Sequence, residues 1–310
     1  MAAVSNLIVT VGDEQRANTM ALMLDGASVD SASQDAGNNV SSTSLTSVLS
    51  TTSALVKGIF GHRSSRGFLT YTGRFHGRPV SIVAIGMGYP NMDFFVRELK
   101  AIVRGPVAIV RVGTCGAIAG GTIGMVSVPT DGAVMVQRNY DYPFVFSNAS
   151  MENLVGSDQQ PCPYRVSRPY SPDSGLTNLI LQKASHLIGK HLIVHGLHAS
   201  SDSFYASQGR PSREFLDTNS GLIPTLIQRG VKTVEMETAQ LFHLAACIAN
   251  PDQEGIRAAA IHAIIADRLN NKFLTNAEDR LRLDQVTAQI ALEALVALDL
   301  PNIEDQLTVL

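Results

Sequence analysis

The sequence predicts an α/β fold in which helices cover both faces of a mainly parallel or mixed sheet. Short β-branched runs alternate with helical stretches along the chain, as expected for strands joined by covering helices. Of the 310 residues, 45% are hydrophobic, which is enough for a large core in one domain or two small ones. We find no internal repeat that would indicate a solenoid.

The first elements are a strand, a helix and a hairpin. The run LIVTV at Leu7 to Val11 predicts a buried strand, and a Gly12-Asp13 turn leads into a helix over Glu14 to Leu24. Two further strands, Phe68 to Phe75 and Pro79 to Ile85, are separated by the turn His76-Gly77-Arg78. The N-terminal part of the chain is therefore predicted to contribute one parallel strand and one antiparallel pair of strands to the sheet.

The later elements alternate in the same way. Pro90, in a typical first-turn position, predicts a helix that continues to about Val103, and VAIVRV at Val107 to Val112 is a buried strand before a glycine-rich turn. The remaining strands are expected near Leu192 to Ala199, Thr233 to Glu235 and Ala258 to Ala266, and the remaining helices near Leu176 to Ile188, Ala239 to Ile248 and Glu278 to Leu298.

Two segments do not follow this alternation. The range from about 28 to 62 contains the serine- and threonine-rich run Ser41 to Ala54, which buries too little to offset its chain entropy and predicts a flexible surface insertion. The second segment, Gln137 to Pro172, is rich in Pro, Tyr, Ser and Asn and predicts a long ordered loop.

Composition excludes several classes of protein. The net charge of −3 and 16% charged residues are unlike a disordered chain, a coiled coil or a strongly basic nucleic-acid binder, and no apolar run approaches the roughly 20 residues of a membrane span. Three scattered cysteines without CxxC spacing do not indicate a disulfide scaffold or a zinc ribbon. No signal peptide is evident at the N-terminus, so we expect a cytoplasmic protein without a membrane or nucleic-acid partner.

Ligands of open α/β sheets bind beyond the carboxyl ends of the strands, and polar residues cluster there in this sequence. Glycine turns let backbone N–H groups approach an oxyanion, and arginine side chains bind phosphate oxygens bidentately. Carboxylates accept from vicinal hydroxyls, and a glutamine beside an arginine suits the amide edge of a pyrimidine. These residues include Gly12, Arg16, Arg111, Thr114, Phe204, Gln208, Arg210, Glu235, Glu237 and Arg268. The set predicts a site for an anion together with a polyhydroxylated ligand.

At these residues the chain resembles the uridine phosphorylases of the nucleoside phosphorylase family. The resemblance runs through six segments in the family order: VTVGDEQR (Val9 to Arg16), Arg66 to Gly88, VRVGTCGAI (Val110 to Ile118), ASSDSFYASQGR (Ala199 to Arg210), VEMET (Val234 to Thr238) and IIADR (Ile264 to Arg268). The Phe-Tyr-x-x-Gln-x-Arg run is the most discriminating, because purine-cleaving relatives lack it. The resemblance implies one domain over residues 1–310, a three-layer α/β/α sandwich with a mixed, partly barrel-like central sheet.

The resemblance also implies phosphate-dependent cleavage of uridine to uracil and ribose 1-phosphate in pyrimidine salvage, by a pentosyltransferase that requires no metal or cofactor other than the co-substrate phosphate. The phosphate would be bound by Gly12, Arg16, Arg66, Arg111 and Thr114, with Arg66 donated across a homodimer interface to the partner's site. The ribose would be bound by Glu235, Met236 and Glu237. The base would be bound by Phe204, Gln208, Arg210, Ile265 and Arg268. Arg210, Gln208 and Arg111 are the expected catalytic residues.

Alternatives remain at several positions. Arg63 is a second candidate for the donated arginine, and Glu235 is either a ribose ligand or a structural residue. Cys115 stands where relatives often have a hydroxyl residue. Asp267 stands where uridine-cleaving relatives tend to have Asn, which leaves a purine or broad-specificity phosphorylase as the first alternative. A non-catalytic nucleoside-binding relative is the second. Because no N-terminal histidine segment precedes the first strand, we expect recognition of the ribose 5′-hydroxyl to differ.

Overall fold

A computed structural model of the chain describes residues 3–29, 56–142, 162–300 and 308–309. Most strands form one large mixed sheet, and two pairs of two-residue strands form small separate ladders. The strands are β1 (Ala3–Val4), β2 (Leu7–Val11), β3 (Ser28–Val29), β4 (Val56–Lys57), β5 (Phe60–Arg63), β6 (Leu69–Phe75), β7 (Arg78–Ala84), β8 (Val107–Ala117), β9 (Val126–Val128), β10 (Ala133–Arg138), β11 (Tyr164–Val166), β12 (Ile193–His195), β13 (Leu197–Ser201), β14 (Val231–Glu235), β15 (Ile256–Asp267), β16 (Lys272–Phe273) and β17 (Thr308–Val309).

Strand β8 is the centre of the sheet. It runs parallel to β2 and to β15, and its last residues pair antiparallel with the end of β14. From β8 the ladder continues through β15 and β9 to β12, and it returns through β13 and β14 to β8. Since β12 and β13 are separated only by Gly196, these strands enclose a barrel-like half of the sheet. The other half is open and ends in β7, β6 and β5.

Helices lie on both faces of the sheet. They are α1 (Glu14–Ala21), α2 (Tyr89–Ile102), α3 (Ser174–Ile188), α4 (Leu222–Gln228), α5 (Thr238–Ala246), α6 (Pro251–Glu254) and α7 (Ala277–Ala297), with short 3₁₀ turns at Lys190–Leu192 and Ala206–Gln208. Side chains alternate along β2: Leu7, Val9 and Val11 pack with α1, α3 and α7, whereas Ile8 packs with α2 and α5. The predicted three-layer α/β/α architecture is confirmed. No helix within the described ranges is both long and apolar enough to cross a bilayer.

Helix starts follow from local capping. The Asp13 side chain accepts from Arg16 N at 2.8 Å, and the Asp173 side chain accepts from Leu176 N at 2.7 Å. Asn276 caps α7 in the same way, and Pro90 occupies the first turn of α2. Helices α1 and α7, which follow Gly12 and Asn276, therefore begin at the edge of the sheet where the pocket described below opens.

Several element predictions need correction. The strand expected to end at Val112 continues to Ala117, because pairing with β15 and β14 carries it through the glycine-rich turn. The strand expected near Leu192 to Ala199 is divided at Gly196, and α4, β9 and β10 were not predicted. Phe60–Arg63, at the end of the expected insertion, is strand β5 of the main sheet. The serine-rich run itself, and residues 143–161 of the expected loop, lie outside the described residues.

Candidate active site

A cavity of about 290 Å³ opens where the ends of β2, β8, β14 and β15 meet. It brings together eleven of the residues proposed from the sequence: Gly12, Arg16, Arg111, Thr114, Phe204, Gln208, Arg210, Glu235, Met236, Glu237 and Ile265. Arg268 lies directly behind, hydrogen-bonded to Gln208, and Arg66 lies elsewhere. Residues about 250 positions apart in the chain therefore share one pocket.

Two arginines converge at one end of the cavity. A Cβ atom on Gly12 would lie 3.4 Å from Arg111 Nη2 and 3.8 Å from Arg16 Nη1, so the absence of a side chain on Gly12 leaves space beside both guanidinium groups. Both arginines are almost fully buried. Arg111 Nε and Nη1 have no hydrogen-bond partner among the described residues. Buried, unpaired N–H donors beside a glycine turn can bind an oxyanion. We call this the oxyanion end.

Each of these arginines also contacts carboxylates. Arg16 Nε lies 3.1 Å from Asp284 Oδ1, and Arg16 Nη2 lies 3.3 Å from Asp13 Oδ2. Arg111 Nη2 lies 2.7 Å from Glu237 Oε2, and both of these side chains are buried. Such pairs satisfy some of the hydrogen-bond donors of each guanidinium group and fix its orientation. They also place several acidic groups around the oxyanion end.

Glu237 lines the cavity, and its carboxyl group has two hydrogen-bond partners. Its Oε1 accepts from Gly88 N at 2.5 Å while its Oε2 contacts Arg111. Burial raises the pKa of Glu237 to about 7, against the opposing effect of Arg111 and with a further contribution from Glu235. A carboxyl group with a pKa near 7 changes charge in the physiological range, so it can accept hydrogen bonds from ribose hydroxyls when ionised.

Glu235 has a different environment, which bears on the choice left open by the sequence. Its carboxylate accepts from the backbone N–H groups of Glu237 and Thr238 at 2.9–3.1 Å, and also from the Ser200 hydroxyl. Although burial opposes ionisation, hydrogen bonding and charge from His198 hold the pKa of Glu235 well below its usual range. Glu235 lines the cavity, but each of its oxygens accepts two hydrogen bonds from described residues, whereas each oxygen of Glu237 accepts one, which favours a structural role for Glu235.

Beneath Glu235 lies a buried polar cluster that includes two histidines. His198 Nε2 is 3.3 Å from Glu235 Oε1, and His198 Nδ1 is 2.6 Å from Thr233 Oγ1. His262 Nε2 is 2.9 Å from Thr238 Oγ1. His198, Glu235 and His262 carry atoms of the type that bind metals within 4.8 Å of one another. However, the two rings stack at 4.7 Å with planes 1° apart, so their in-plane lone pairs are parallel rather than convergent, which is unsuited to a shared ion.

At the opposite end of the cavity, Gln208 is held between two groups. Its Oε1 accepts from Arg268 Nη1 at 3.2 Å, its backbone carbonyl accepts from Arg268 Nη2 at 2.8 Å, and its Nε2 donates to Glu235 O at 3.4 Å. Arg210 Nε donates to Phe204 O at 3.0 Å, and its guanidinium carbon lies 4.0 Å from the centre of the Phe204 ring. Arg210 therefore covers one face of the ring expected to stack on a base. We call this the base end.

The base end is positively charged. Burial lowers the pKa of Arg268 to about 10, with nearby Arg210 contributing in the same direction. Burial likewise lowers the pKa of Arg210. Neither arginine forms an ion pair with a carboxylate in the described part of the chain. Two uncompensated guanidinium groups in a partly desolvated site favour negative charge on whatever binds between them.

The donated-arginine candidates lie outside the cavity. Arg66 Nε contacts Glu98 Oε1 at 2.6 Å on an exposed surface, and its guanidinium carbon lies 4.2 Å from the Phe94 ring centre. Arg63 forms two hydrogen bonds with Glu14, at 2.5 and 2.7 Å. Because a residue donated to a partner's site would lie away from its own, this placement does not choose between them.

Cys115 and Asp267, the two residues that depart from the family pattern, have different environments in the structure. Cys115 lines the cavity, and burial raises the pKa of its thiol, which is unsuited to a nucleophile. Asp267 does not line the cavity. Its carboxylate accepts from Leu269 N at 3.1 Å and from Asn270 N and Nδ2 at 3.1 and 2.8 Å, so it closes the turn after β15.

Three residues of the site were missed from the sequence: Phe273 and Arg280, which line the cavity, and Asp284, which contacts Arg16. Phe273 belongs to β16, and the other two lie one turn apart on α7. The only sequence signal is the i, i+4 spacing of Arg280 and Asp284 on a predicted helix, which says nothing about where that helix packs.

The sequence is similar to those of known nucleoside phosphorylases. A family model described as the phosphorylase superfamily matches residues 47–297. A uridine phosphorylase of Thermococcus kodakarensis is 32% identical over 211 residues, covering 67% of this chain and 65% of that protein, so the match spans slightly less than two thirds of the relative. A DeoD-type purine nucleoside phosphorylase of Streptococcus uberis is 30% identical over 236 residues, covering 76% of this chain and 82% of that protein.

Two solved structures share the fold. One, from a structural and catalytic study of two uridine phosphorylases of the oomycete Phytophthora capsici, superposes with a TM-score of 0.76 at 32% identity, covering 96% of this chain and 92% of that one. A nucleoside phosphorylase of Trypanosoma brucei superposes with a TM-score of 0.65 over 95% of this chain and 94% of that one. At 18% identity, the second shows the fold alone.

Proposed function

The chain belongs to the phosphorylase superfamily, and on that basis we propose that it cleaves uridine with inorganic phosphate, giving uracil and ribose 1-phosphate. The family match supports a nucleoside phosphorylase, a pentosyltransferase. The choice of uridine is our inference from the base end of the cavity. Relatives of both the uridine and the purine type are similar to this chain, so similarity alone does not select the base.

The observation that carries the proposal is the pair of guanidinium groups, Arg210 and Arg268, beside the buried amide of Gln208. Uracil leaves with the electron pair of the glycosidic bond and so becomes an anion in the transition state. Cations fixed at that position stabilise the transition state more than the neutral nucleoside, which is what accelerates a reaction. The amide supplies both a donor and an acceptor for the polar edge of the base.

The other end of the cavity supplies the attacking group. Phosphate held by Arg16 and Arg111 is positioned below the sugar, so that one of its oxygens forms a bond to C1′ while the C1′–N1 bond breaks. Ionised Glu237 accepts from the ribose hydroxyls, and Met236 lines the cavity beside it. No group in this scheme acts as a metal ligand or redox centre.

The purine alternative needs an acid that protonates the departing ring, and Asp267 was its candidate. In the structure Asp267 is turned toward Asn270, and hydrogen bonding with that residue lowers the pKa of the carboxyl. It is therefore ionised at neutral pH, and it does not line the cavity. This arrangement favours the pyrimidine substrate over purine nucleosides.

We also propose a homodimer in which each subunit donates Arg66 to the phosphate of the other. Arg66 and the exposed side chain of Phe94 line one surface cavity, and the exposed side chain of Ile102 lines a neighbouring apolar cavity together with Leu99. A second copy of the chain would bury these side chains and place Arg66 in an interface. The cation–π contact with Phe94 holds the guanidinium on that surface.

An absorbance assay of uridine and inosine, each with and without phosphate, tests the activity. We expect loss of uridine that requires phosphate, with inosine cleaved much more slowly. Comparable or faster inosine cleavage would instead support the alternative of a purine or broad-specificity nucleoside phosphorylase. Cleavage of uridine without phosphate would make it a hydrolase, and nucleoside-dependent thermal stabilisation without any turnover would support a binding protein instead.

A further inference from the structure

The oxyanion end contains more acidic groups than basic ones. The cations Arg16 and Arg111 face three carboxylates, Asp13, Asp284 and Glu237, at 2.7 to 3.3 Å. Because burial raises the pKa of Glu237 to about 7, this carboxyl is partly ionised near neutral pH, and the three carboxylates together offset most of the charge of the two arginines. An incoming phosphate dianion therefore gains little net attraction from these five groups unless another cation approaches. The donors Nε and Nη1 of Arg111, unpaired among the described residues, nevertheless show that the site is built to receive hydrogen-bond acceptors.

Helix α7 brings a third guanidinium to this end. Arg280 lines the cavity, and it lies one helical turn before Asp284, on the same face of α7. Asp284 is the residue that contacts Arg16, so Arg280 is placed at the oxyanion end rather than at the base end. Burial raises the pKa of Asp284, and the charges of Arg16 and Arg280 oppose that rise, which again places Arg280 close by. In the described part of the chain Arg280 forms no ion pair.

We propose that Arg280 is a phosphate-binding residue of this site, supplied by the same chain that provides Arg16 and Arg111. This inference rests on the proposed function, since it concerns the phosphate that the reaction consumes. Arg280 is exposed and without an ion pair within the described ranges, so its side chain can turn onto a phosphate oxygen, whereas Arg16 and Arg111 are buried and held by carboxylates. Its charge then adds to the small net attraction of the other five groups. The remaining charge of the dianion is left for the partner's arginine in the proposed dimer.

Arg282 provides a matched control. It is an arginine of the same helix, two residues further along, and does not line the cavity. Two residues correspond to about 200° around a helix, so Arg280 and Arg282 point to opposite sides. Replacing Arg282 by Ala changes the net charge as much as replacing Arg280, without removing a group from the site.

The experiment measures initial rates against phosphate concentration, at saturating uridine, for wild type, Arg280→Ala, Arg280→Lys and Arg282→Ala. We expect Arg280→Ala to raise the phosphate KM about tenfold, as for loss of one charge-assisted hydrogen bond at a partly exposed position. Arg280→Lys should restore part of the affinity, and Arg282→Ala should leave it unchanged. The uridine KM should change less than about twofold in every variant.

A second measurement separates this inference from the proposed function. The rise in Tm caused by inorganic phosphate alone needs no turnover, and it should be large in wild type and Arg282→Ala but small in Arg280→Ala. If no nucleoside is cleaved while this pattern holds, the proposed function fails and the role of Arg280 stands. If turnover is present and the phosphate KM of Arg280→Ala lies within about twofold of wild type, the inference is overturned. A rise in the uridine KM alone would overturn it equally.

Discussion

Replacing Glu237 by Gln should make the stability of the protein less sensitive to pH. Glu237 is only 3% exposed, and burial raises its pKa to about 7, with Arg111 opposing and Glu235 adding to the rise. In the unfolded chain the same carboxyl titrates near its ordinary value of 4.5. The folded protein therefore holds this proton more tightly than the unfolded chain does.

The sign and size of the effect follow from that difference. Below about pH 4.5 the carboxyl is protonated in both states, and its contribution to the unfolding free energy is at its maximum. As pH rises toward about 7 the unfolded chain ionises first, so stability falls by roughly 1.4 kcal/mol per pH unit until the folded state ionises as well. The total loss is about 3 kcal/mol between about pH 4.5 and 8. The glutamine side chain of the variant does not titrate, so the variant should gain that amount relative to wild type over the same range.

Urea unfolding of wild type and Glu237→Gln at several pH values across that range measures this difference directly. Asp267→Asn is the control, because the pKa of that exposed carboxyl is lowered by hydrogen bonding with Asn270 and it stays ionised over the whole range. The control should follow the wild-type curve. Parallel curves for wild type and Glu237→Gln would show that Glu237 titrates normally and would refute the argument.

Three further outcomes are expected. Arg210→Ala should lower kcat/KM for uridine by about 10²–10³ with unchanged circular dichroism, as for loss of one transition-state donor; an unaltered kcat/KM would remove Arg210 from the base site. Mixed Arg66→Ala and Arg210→Ala subunits, each of reduced activity alone, should regain activity after exchange, whereas absence of recovery would contradict a shared site. Iodoacetamide should label the exposed Cys162 and Cys247 but not Cys115, because Cys115 is buried and burial raises the pKa of its thiol. Mass spectrometry after labelling of the native protein measures this, and labelling of Cys115 at the rate of the other two would contradict the prediction.

The sequence predicted the strands that end at the pocket because their signal is local. An apolar run such as Leu7–Val11 followed by glycine and charged residues marks both a buried strand and its carboxyl end. Parallel strands bring such ends together, so Gly12 and Arg111 meet although the sequence separates them. The family resemblance added the base end, where Gln208 and Arg210 follow β13 in one short motif.

What sequence reasoning missed depends on tertiary packing. Arg280 and Asp284 reach the cavity only because α7 packs across β2 and β8, and no local pattern reports that contact. The direction of Asp267 was equally hidden, since an acid after a strand can enter a pocket or close a turn. Strand β8 was predicted too short because glycines in a strand are stabilised by pairing on both sides, which is not visible in the run itself.

The two acidic residues of the EME triplet show how one motif supports two different tasks. Glu235 is held ionised by the backbone N–H groups of Glu237 and Thr238 and by His198, and its negative charge contributes to the raised pKa of Glu237. Glu237 is therefore a partly ionised partner for Arg111 near neutral pH. In the proposed reaction an arriving phosphate competes with Glu237 for Arg111, and Glu237 is released toward the ribose hydroxyls. Phosphate binding and ribose binding would then be linked through this one carboxyl group.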